Sequence, residues 1–120
     1  MARSILLTVP LALALAGCGS SPETAATRFV EAADNGHTSE ALDHIDPAIK
    51  QVGGPKLVAA MGKAGASAKA KGGLKKVAVV DAKQEGDYAT LVVEENFNNG
   101  TASKSNFKMR KFEGKWYVTM

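Results

Sequence analysis

The sequence predicts an α+β fold in which N-terminal helices pack on a four-stranded antiparallel meander sheet. Between residues 22 and 72 apolar residues recur every three or four positions, and from residue 74 onward they alternate. Turn-forming sequences, among them Asn99-Gly100, divide this second half into short strands. A meander has one apolar face that must be covered, and the helices are the elements available to cover it. The length of 120 residues fits one domain.

The first 17 residues are predicted to be a signal peptide that is removed from the mature chain. Arg3 supplies a positive charge, and residues 4–17 carry none. As a helix this stretch would be about 21 Å long at ~1.5 Å per residue, whereas the hydrocarbon core of a bilayer is roughly 30 Å thick. A basic start, a short apolar run and small residues at its end are typical of a secretory signal peptide.

The end of this run, Leu15-Ala16-Gly17-Cys18, resembles the lipobox of bacterial lipoproteins. The resemblance implies that the chain is cut between Gly17 and Cys18 and that fatty acyl chains are attached to the Cys18 sulfur. Residues 18–21 would then form a short tether to a domain at residues 22–120. Because Cys18 is the only cysteine, no internal disulfide is expected. The alternative is an ordinary signal peptide followed by a chance cysteine.

The residue after the cysteine, Gly19, bears on the membrane in which a lipoprotein would be held. In bacteria with two membranes, aspartate at this position is associated by resemblance with retention in the inner membrane. Glycine therefore favours the outer membrane, with the domain on the periplasmic side. In a bacterium with one membrane, the same anchor would place the domain at the outer face of the cell membrane.

The first helix is predicted to begin after Ser21, whose hydroxyl can cap it, with Pro22 at the first helical position. Asn35-Gly36 is a typical helix end. The stripe expected to face the sheet consists of Ala26, Phe29, Val30 and Ala33.

Two further helices are predicted, one from Thr38 and one from about Pro55 to Gly72-Gly73. Between them Asp46 precedes Pro47, and a residue before proline is disfavoured in the helical conformation. The residues expected to face inward are Ala41, Leu42 and Ile45 in the second helix and Leu57, Val58, Met61 and Ala68 in the third.

Four strands are predicted at residues 77–82, at Tyr88–Phe97, at residues 104–112 and at the end of the chain. The connections between them are the polar turns at residues 85–87, 98–100 and 113–115. The side chains expected on the covered face are Ala89, Leu91, Val93 and Phe97 in the second strand, Phe107 and Met109 in the third, and Trp116, Val118 and Met120 in the fourth.

Several segments of the mature chain, in order, resemble DUF4878, a family of small bacterial lipoprotein domains of unknown function. The matching segments are Ser21-Pro22-Glu23-Thr24-Ala25, Phe29-Val30-Glu31-Ala32, Gly72-Gly73-Leu74-Lys75-Lys76-Val77, Gly86-Asp87-Tyr88-Ala89-Thr90-Leu91-Val92-Val93 and Glu113-Gly114-Lys115-Trp116-Tyr117-Val118. The family is assigned to the cystatin-like or NTF2-like folds. The resemblance implies a curved sheet backed by helices, with room for a concave pocket, and it implies no particular activity.

No catalytic constellation is recognisable in the sequence, and no spacing of histidine and cysteine residues indicates a metal site. His37 and His44 are the natural acid–base candidates, and both are interpreted as surface residues. Glu95 is the one acid that shares a strand face with Leu91 and Val93. Two interpretations of Glu95 remain open: an acid in a pocket, or a side chain turned outward by a bulge or the strand end.

Charge is distributed in blocks along the chain, and residues 47–80 contain seven lysines and no acidic residue. One hypothesis is that this block contacts anionic lipid or an anionic cell-wall polymer. The alternative is that the lysines keep a helix rich in alanine and glycine soluble and pair with the acidic first helix. The lysines proposed for surface contact are Lys56, Lys63, Lys69, Lys71, Lys75 and Lys76.

These observations favour a membrane-anchored, non-enzymatic envelope domain that binds a protein or small ligand, or has a structural role. No cofactor is expected, and the few scattered aromatic residues give no stacking platform for nucleic acid. The first alternative is an NTF2-like enzyme or pocket protein, and the second is the lysine-rich docking module. A covered face closed by Phe29, Leu42, Leu91, Val93 and Trp116 would count against an enzyme, whereas an acid-lined cavity of several hundred Å³ would favour one.

Overall fold

The computed structural model describes residues 21–120, which form three helices followed by four strands. The helices are α1 (Pro22–Asp34), α2 (Thr38–Leu42) and α3 (Pro47–Ala70), and the strands are β1 (Leu74–Glu85), β2 (Tyr88–Phe97), β3 (Ala102–Phe112) and β4 (Lys115–Thr119). The strands form one antiparallel sheet in the order β1-β2-β3-β4. The predicted α+β class and meander order are therefore confirmed.

Helix α1 begins and ends where the sequence predicts. The Ser21 hydroxyl accepts a hydrogen bond from the backbone N–H of Thr24 at 3.1 Å, and Pro22 takes the first helical position. At the other end Gly36 has a φ of 79°, and the N–H of His37 returns to the carbonyl of Ala32 at 2.8 Å. This arrangement satisfies a carbonyl at the helix end and turns the chain toward α2.

Helix α3 begins at Pro47, eight residues before the predicted start at Pro55. Asp46 is its N-cap, with φ −48° and ψ 126°, and Oδ1 of Asp46 accepts the N–H of Ala48 at 3.0 Å. The first segment, from Pro47, was not predicted, because the extended conformation that proline imposes on the preceding residue is also the conformation an N-cap needs. Gly54, at φ 41° and ψ −125°, breaks the helix into two segments, and Pro55 starts the second.

Ile45 lies beyond the end of α2, although it was predicted to belong to that helix. It forms a parallel bridge with Val118 of β4. The backbone N–H of Val118 donates to the carbonyl of His44 at 2.7 Å, and the N–H of Asp46 donates to the carbonyl of Val118 at 2.8 Å. These bonds cover the outer edge of β4, so β1 is the edge strand left open.

The core lies between α1 and the inner face of the sheet. Leu91 and Met109 are 1% and 0% exposed, and the Phe29 ring meets the Phe107 ring edge to face with centroids 5.8 Å apart. Trp116 is buried in the same cluster. The α1 stripe and the four inward residues predicted for β2 are all buried.

Two of the residues predicted to face inward are exposed. Val58 is 49% exposed, because the inward face of α3 after the kink is carried by Met61 and Ala68. Met120 is 87% exposed, because β4 ends at Thr119.

Strand β1 is twelve residues long and extends beyond the predicted residues 77–82 at both ends. Its register with β2 shifts between Leu74 and Lys76 and again between Val79 and Asp81. Each shift inserts an extra residue and interrupts the alternation that the prediction relied on. Within residues 21–120, none of the helices is both apolar enough and long enough to span a bilayer.

Candidate functional site

The candidate site is a pair of carboxyl groups that meet where the end of α1 packs on β2. Asp34 is the last residue of α1 and is 9% exposed, and Glu95 lies half-buried on the inner face of β2. Burial, the hydrogen bond to Glu95 and the charge of Glu95 raise the pKa of Asp34 to about 8, while nearby Lys71 acts in the opposite direction. The raised pKa favours the protonated form of Asp34 at neutral pH, and in that form its hydroxyl can donate to Glu95.

The position of Glu95 follows from strand alternation, since it lies between the buried residues Val93 and Phe97 on one face. Ser103 lies opposite Glu95 in the register of β3, and its hydroxyl donates to Oε1 of Glu95 at 3.3 Å. Oδ2 of Asp34 is buried with no N–H or O–H donor within reach in residues 21–120. An ionised Asp34 would thus be poorly compensated, which accounts for its retained proton.

Asp34 also lines a cleft of about 560 Å³ between the end of α1 and the second half of α3. Small residues of α3 make the space, and Lys69 contributes an ammonium group to its wall. At Gly65 the two segments approach closely, because a Cβ atom there would lie 3.3 Å from the carbonyl oxygen of Ala33. The remaining lining residues are Asn35, Gly36, Thr38, Met61, Gly62, Ala66, Gly72 and Gly73.

Elsewhere the helices close the covered face of the sheet. Phe29, Leu91, Val93 and Trp116 are buried there, and Leu42 is half-buried. The Asp34 cleft therefore opens at the end of α1, beside the turn that leads into α2. Its volume is within the range of small-molecule sites.

The two histidines lie apart from the acid pair. The His37 side chain is 63% exposed, with Nδ1 3.7 Å from Glu40. His44 is half-buried, and desolvation lowers its pKa. Within residues 21–120 neither makes a hydrogen bond with Asp34 or Glu95, and no cluster of three or more His, Cys, Asp or Glu side chains is arranged to hold a metal ion.

Most of the lysines singled out from the sequence are exposed: Lys56, Lys63, Lys69, Lys75 and Lys76. Lys71 is half-buried, and its Nζ lies 4.6 Å above the centre of the Phe97 ring. In the described part of the chain none of these lysines forms an ion pair within 4 Å. Direct ion pairs between these lysines and the acidic first helix are therefore not formed in residues 21–120, although Lys71 is near enough to Asp34 to affect its pKa. Of the six, Lys69 is the one that lines the cleft.

A second acid, Asp46, contrasts with Asp34. Nε and Nη2 of Arg110 donate to its two carboxylate oxygens at 2.7 and 2.8 Å, and the Thr119 hydroxyl donates at 2.8 Å. The Arg110 guanidinium holds the pKa of Asp46 well below its usual range, with further contributions from the Ala48 N–H and Thr119. Asp46 thus stays charged and joins α3 to β3 and β4.

The predicted lipidation site, Cys18, and the cleavage position at Gly17 lie outside the described residues. Sequence reasoning did not find Asp34, because nothing in its neighbourhood distinguishes it from a solvated acid at a helix end. It also did not find the contact between Asp46 and Arg110, whose positions differ by 64 residues.

The fold and the site together define a small α+β domain in which helices cover one face of a meander sheet and an acid-lined cleft opens at the end of the first helix. The chain belongs to the family described as "Domain of unknown function (DUF4878)", whose model matches residues 16–119. The resemblance seen in the sequence is therefore confirmed. A search of curated proteins gave no match.

Two solved structures are similar to this chain. One is a Campylobacter jejuni protein provisionally named an NTF2-like transpeptidase, with 27% identity, a TM-score of 0.77, and coverage of 82% of this chain and 97% of that one. The other is a SEC-C motif-containing protein from Rhodopseudomonas palustris, with 16% identity, a TM-score of 0.59, and coverage of 90% of this chain and 82% of that one. The second likeness concerns the fold alone. The domain is NTF2-like.

Proposed function

We propose that this protein is a lipid-anchored envelope domain that binds a small polar ligand in the cleft at Asp34. The observation that carries the proposal is a nearly buried acid, Asp34, that lines an open cleft together with the polar residues Asn35, Thr38 and Lys69. Polar side chains that converge on a cleft are typical of small-molecule sites. In this proposal the domain binds the ligand without a cofactor and catalyses no reaction on it.

The chemistry of the cleft narrows the class of ligand. Asp34 and Asn35 on one side of the cleft offer groups that a hydroxyl or amine can hydrogen-bond, and Lys69 on the wall favours an anionic group. A molecule with a donor at one end and a carboxylate at the other meets both requirements. Amino acids and short peptides are the simplest compounds of this kind.

The experiment is an NMR titration of ¹⁵N-labelled protein with a panel of amino acids and dipeptides at millimolar concentration. Binding in the cleft shifts the amide signals of Asp34, Gly36, Lys69 and Gly72 together. Asp34→Asn abolishes these shifts, whereas Asp43→Asn, at an exposed acid of the neighbouring turn, retains them. Shifts that map to another surface, or that survive Asp34→Asn, would contradict the proposal.

The anchor is supported by the order of the N-terminal features: one positive charge, an uncharged run, and small residues before the chain's single cysteine. A second acyl chain makes such an attachment effectively permanent, since each buried methylene contributes ~0.8 kcal/mol. Mass spectrometry of the native product tests it. A chain that starts at Cys18 and carries acyl mass agrees with the proposal, and a chain that retains Met1 without acyl mass does not.

An NTF2-like enzyme is the second candidate function, and the hydrogen bond from Ser103 to Glu95 favours it. In an acyl-transfer reaction Ser103 would be the nucleophile, Glu95 the general base and Asp34 the group that orients Glu95. Against it, Ser103 and Glu95 are absent from the lining of the cleft. A fluorophosphonate probe tests the idea, since it would label the wild-type protein and leave Ser103→Ala unlabelled.

A further inference from the structure

The break in α3 at Gly54 opens an apolar groove that is separate from the Asp34 cleft. Gly54 has a φ of 41° and a ψ of −125°, a conformation that residues with a side chain rarely adopt. The neighbouring Gly53 leaves room for Leu57, because a Cβ atom at position 53 would lie 2.6 Å from Cγ of Leu57. The groove has a volume of about 500 Å³, and within residues 21–120 it shares no lining residue with the cleft. Its lining consists of Leu42, Lys50, Gly54, Pro55, Leu57 and Val58.

The walls of the groove are apolar and face solvent. Leu42 and Leu57 are half-buried and also pack against the core, whereas Val58 is 49% exposed. Gly54, Leu57 and Val58 are three and four positions apart, so they are neighbours on one side of the segment that follows the break. Single exposed apolar side chains are ordinary, but contiguous ones that line a groove are typical of a binding surface.

Lys50 is the one charged side chain among the described residues that line the groove. It is exposed, and within residues 21–120 it forms no ion pair within 4 Å. The Asp46 carboxylate, four positions away, is already held by Arg110 and does not offset its charge. The methylene groups of a lysine can cover apolar surface while its ammonium group stays in water. The groove therefore suits a molecule that has an anionic group at the end of an apolar chain.

We infer that this groove binds a fatty acid, an unbranched apolar chain with a terminal carboxylate. The chain would lie against Leu42, Leu57 and Val58, and the carboxylate would contact the Lys50 ammonium group. Small-molecule sites are mostly apolar with a few polar groups that fix orientation, and their volumes are roughly 300–1,000 Å³. A stable protein partner would need roughly 20–30 residues on each side, far more than the six that line the groove.

The dimensions of the groove set the length of the chain that it can cover. Lys50 and Val58 are eight positions apart, which is at most about 12 Å along a helix at ~1.5 Å per residue. Carbon–carbon bonds of about 1.5 Å advance an extended chain by ~1.25 Å each, so the groove accommodates roughly ten carbons. Methylene groups beyond this length would stay in water and add little affinity.

The experiment is an NMR titration with sodium decanoate at millimolar concentration, below the concentration at which it forms micelles. The protein is the chain from residue 18 onward with ¹³C-labelled methyl groups, and Cys18→Ser keeps it free of lipid. We expect the methyl signals of Leu42, Leu57 and Val58 to shift together, while those of the core residue Leu91 do not. From hexanoate to decanoate the affinity increases about twofold per methylene, since an open groove covers part of the chain. It levels off for longer acids.

Matched probes and variants separate the apolar and charged parts of the site. Decyltrimethylammonium has the same chain with a cationic head and binds several-fold more weakly. Lys50→Gln weakens decanoate binding about threefold, the size expected for an exposed ion pair. Lys56→Gln, at an exposed lysine that does not line the groove, leaves it unchanged. In about 0.15 M salt, charges more than ~8 Å from the ligand are largely screened.

A second pair of variants tests the apolar wall. Val58→Asp places a like charge beside the bound chain and weakens decanoate binding about tenfold. Val80→Asp, at a residue of β1 that is 48% exposed, leaves it unchanged. Circular dichroism of every variant confirms that the fold is retained.

Three results would overturn the inference. The first is the absence of methyl shifts at decanoate concentrations below micelle formation. The second is equal affinity for decanoate and decyltrimethylammonium, or for decanoate in the wild type and Lys50→Gln, because the groove would then not select a carboxylate. The third is unchanged affinity in Val58→Asp. Because the protein used carries no lipid and its Asp34 cleft is unaltered, none of these results bears on the mass of the native chain or on the amino-acid titration.

Discussion

Asp46→Ala is expected to destabilise the domain by about 3 kcal/mol. Asp46 is 2% exposed and accepts hydrogen bonds from Arg110 at 2.7 and 2.8 Å, from Thr119 at 2.8 Å and from the Ala48 N–H at 3.0 Å. A hydrogen bond to a charged group contributes roughly 1.5–3 kcal/mol, and loss of an N-cap costs ~1 kcal/mol. The total loss is smaller than the sum of these contributions. The Arg110 side chain is 27% exposed, so water replaces its hydrogen bonds when Asp46 is removed.

Asp46→Asn separates the two parts of this effect. Asparagine retains the oxygen that accepts the Ala48 N–H but loses the charge that Arg110 neutralises, so we expect about half to two thirds of the alanine loss. Urea unfolding followed by circular dichroism at pH 7 measures both values.

The same variants have a pH signature. The folded-state pKa of Asp46 is lowered, so its contribution is fully present above about pH 4 and is lost as the pH falls further. The wild type should lose stability between about pH 4 and pH 2, and Asp46→Asn should lose less over that interval. A loss below ~0.5 kcal/mol for Asp46→Ala, the size typical of ordinary surface changes, would refute the argument, as would identical pH slopes for all three proteins.

Three further predictions concern the site, the anchor and the backbone. Because the folded-state pKa of Asp34 is raised to about 8, the wild type loses stability as the pH rises from about 4 to about 8, and Asp34→Asn should lose less over that range in urea unfolding. Equal slopes for the two proteins would contradict the shared proton. Cys18→Ser should leave an uncleaved precursor, detected by its mass, and normal processing would argue against the lipobox. Gly36→Ala should cost about 1 kcal/mol in thermal unfolding because φ is 79°, whereas Gly62→Ala, in the interior of α3, should stabilise by up to about 1 kcal/mol. A loss of stability in Gly62→Ala would show that Gly62 is needed for packing.

Elements whose patterns are local could be predicted from the sequence. Strand β2 matches its predicted bounds, since each of its ends is marked by a turn and its inner face alternates without interruption. The start of α1 is likewise fixed by neighbouring residues, Ser21 and Pro22. The start of α3 was missed because the sequence Asp46-Pro47 is compatible both with a helix end and with an N-cap. The N-cap at Asp46 is also bound by Arg110, a residue 64 positions away that local patterns do not reveal.

The candidate site could be predicted in part. Alternation places Glu95 on the inner face, but it does not say which residue faces it across the core. Asp34 faces it because the end of α1 packs against the far end of β2, a contact between distant parts of the chain. Val58 shows a similar limit, because the inward stripe after the break at Gly54 consists of Leu57, Met61 and Ala68 and leaves Val58 at its exposed margin.

Asp34 and Asp46 show why the first is the better candidate for binding. Both are at least nine-tenths buried, and they differ in the partner that the fold provides. Asp46 meets a guanidinium, stays charged and stabilises the junction of α3 with the sheet. Asp34 meets another carboxyl group, which together with burial raises its pKa, and its Oδ2 has no donor in the described residues. An amide at position 34 would avoid the cost of ionisation, so packing alone gives no reason for an acid there. An acid that costs stability and lines a cavity agrees with the proposed ligand site, and the ligand titration tests this proposal.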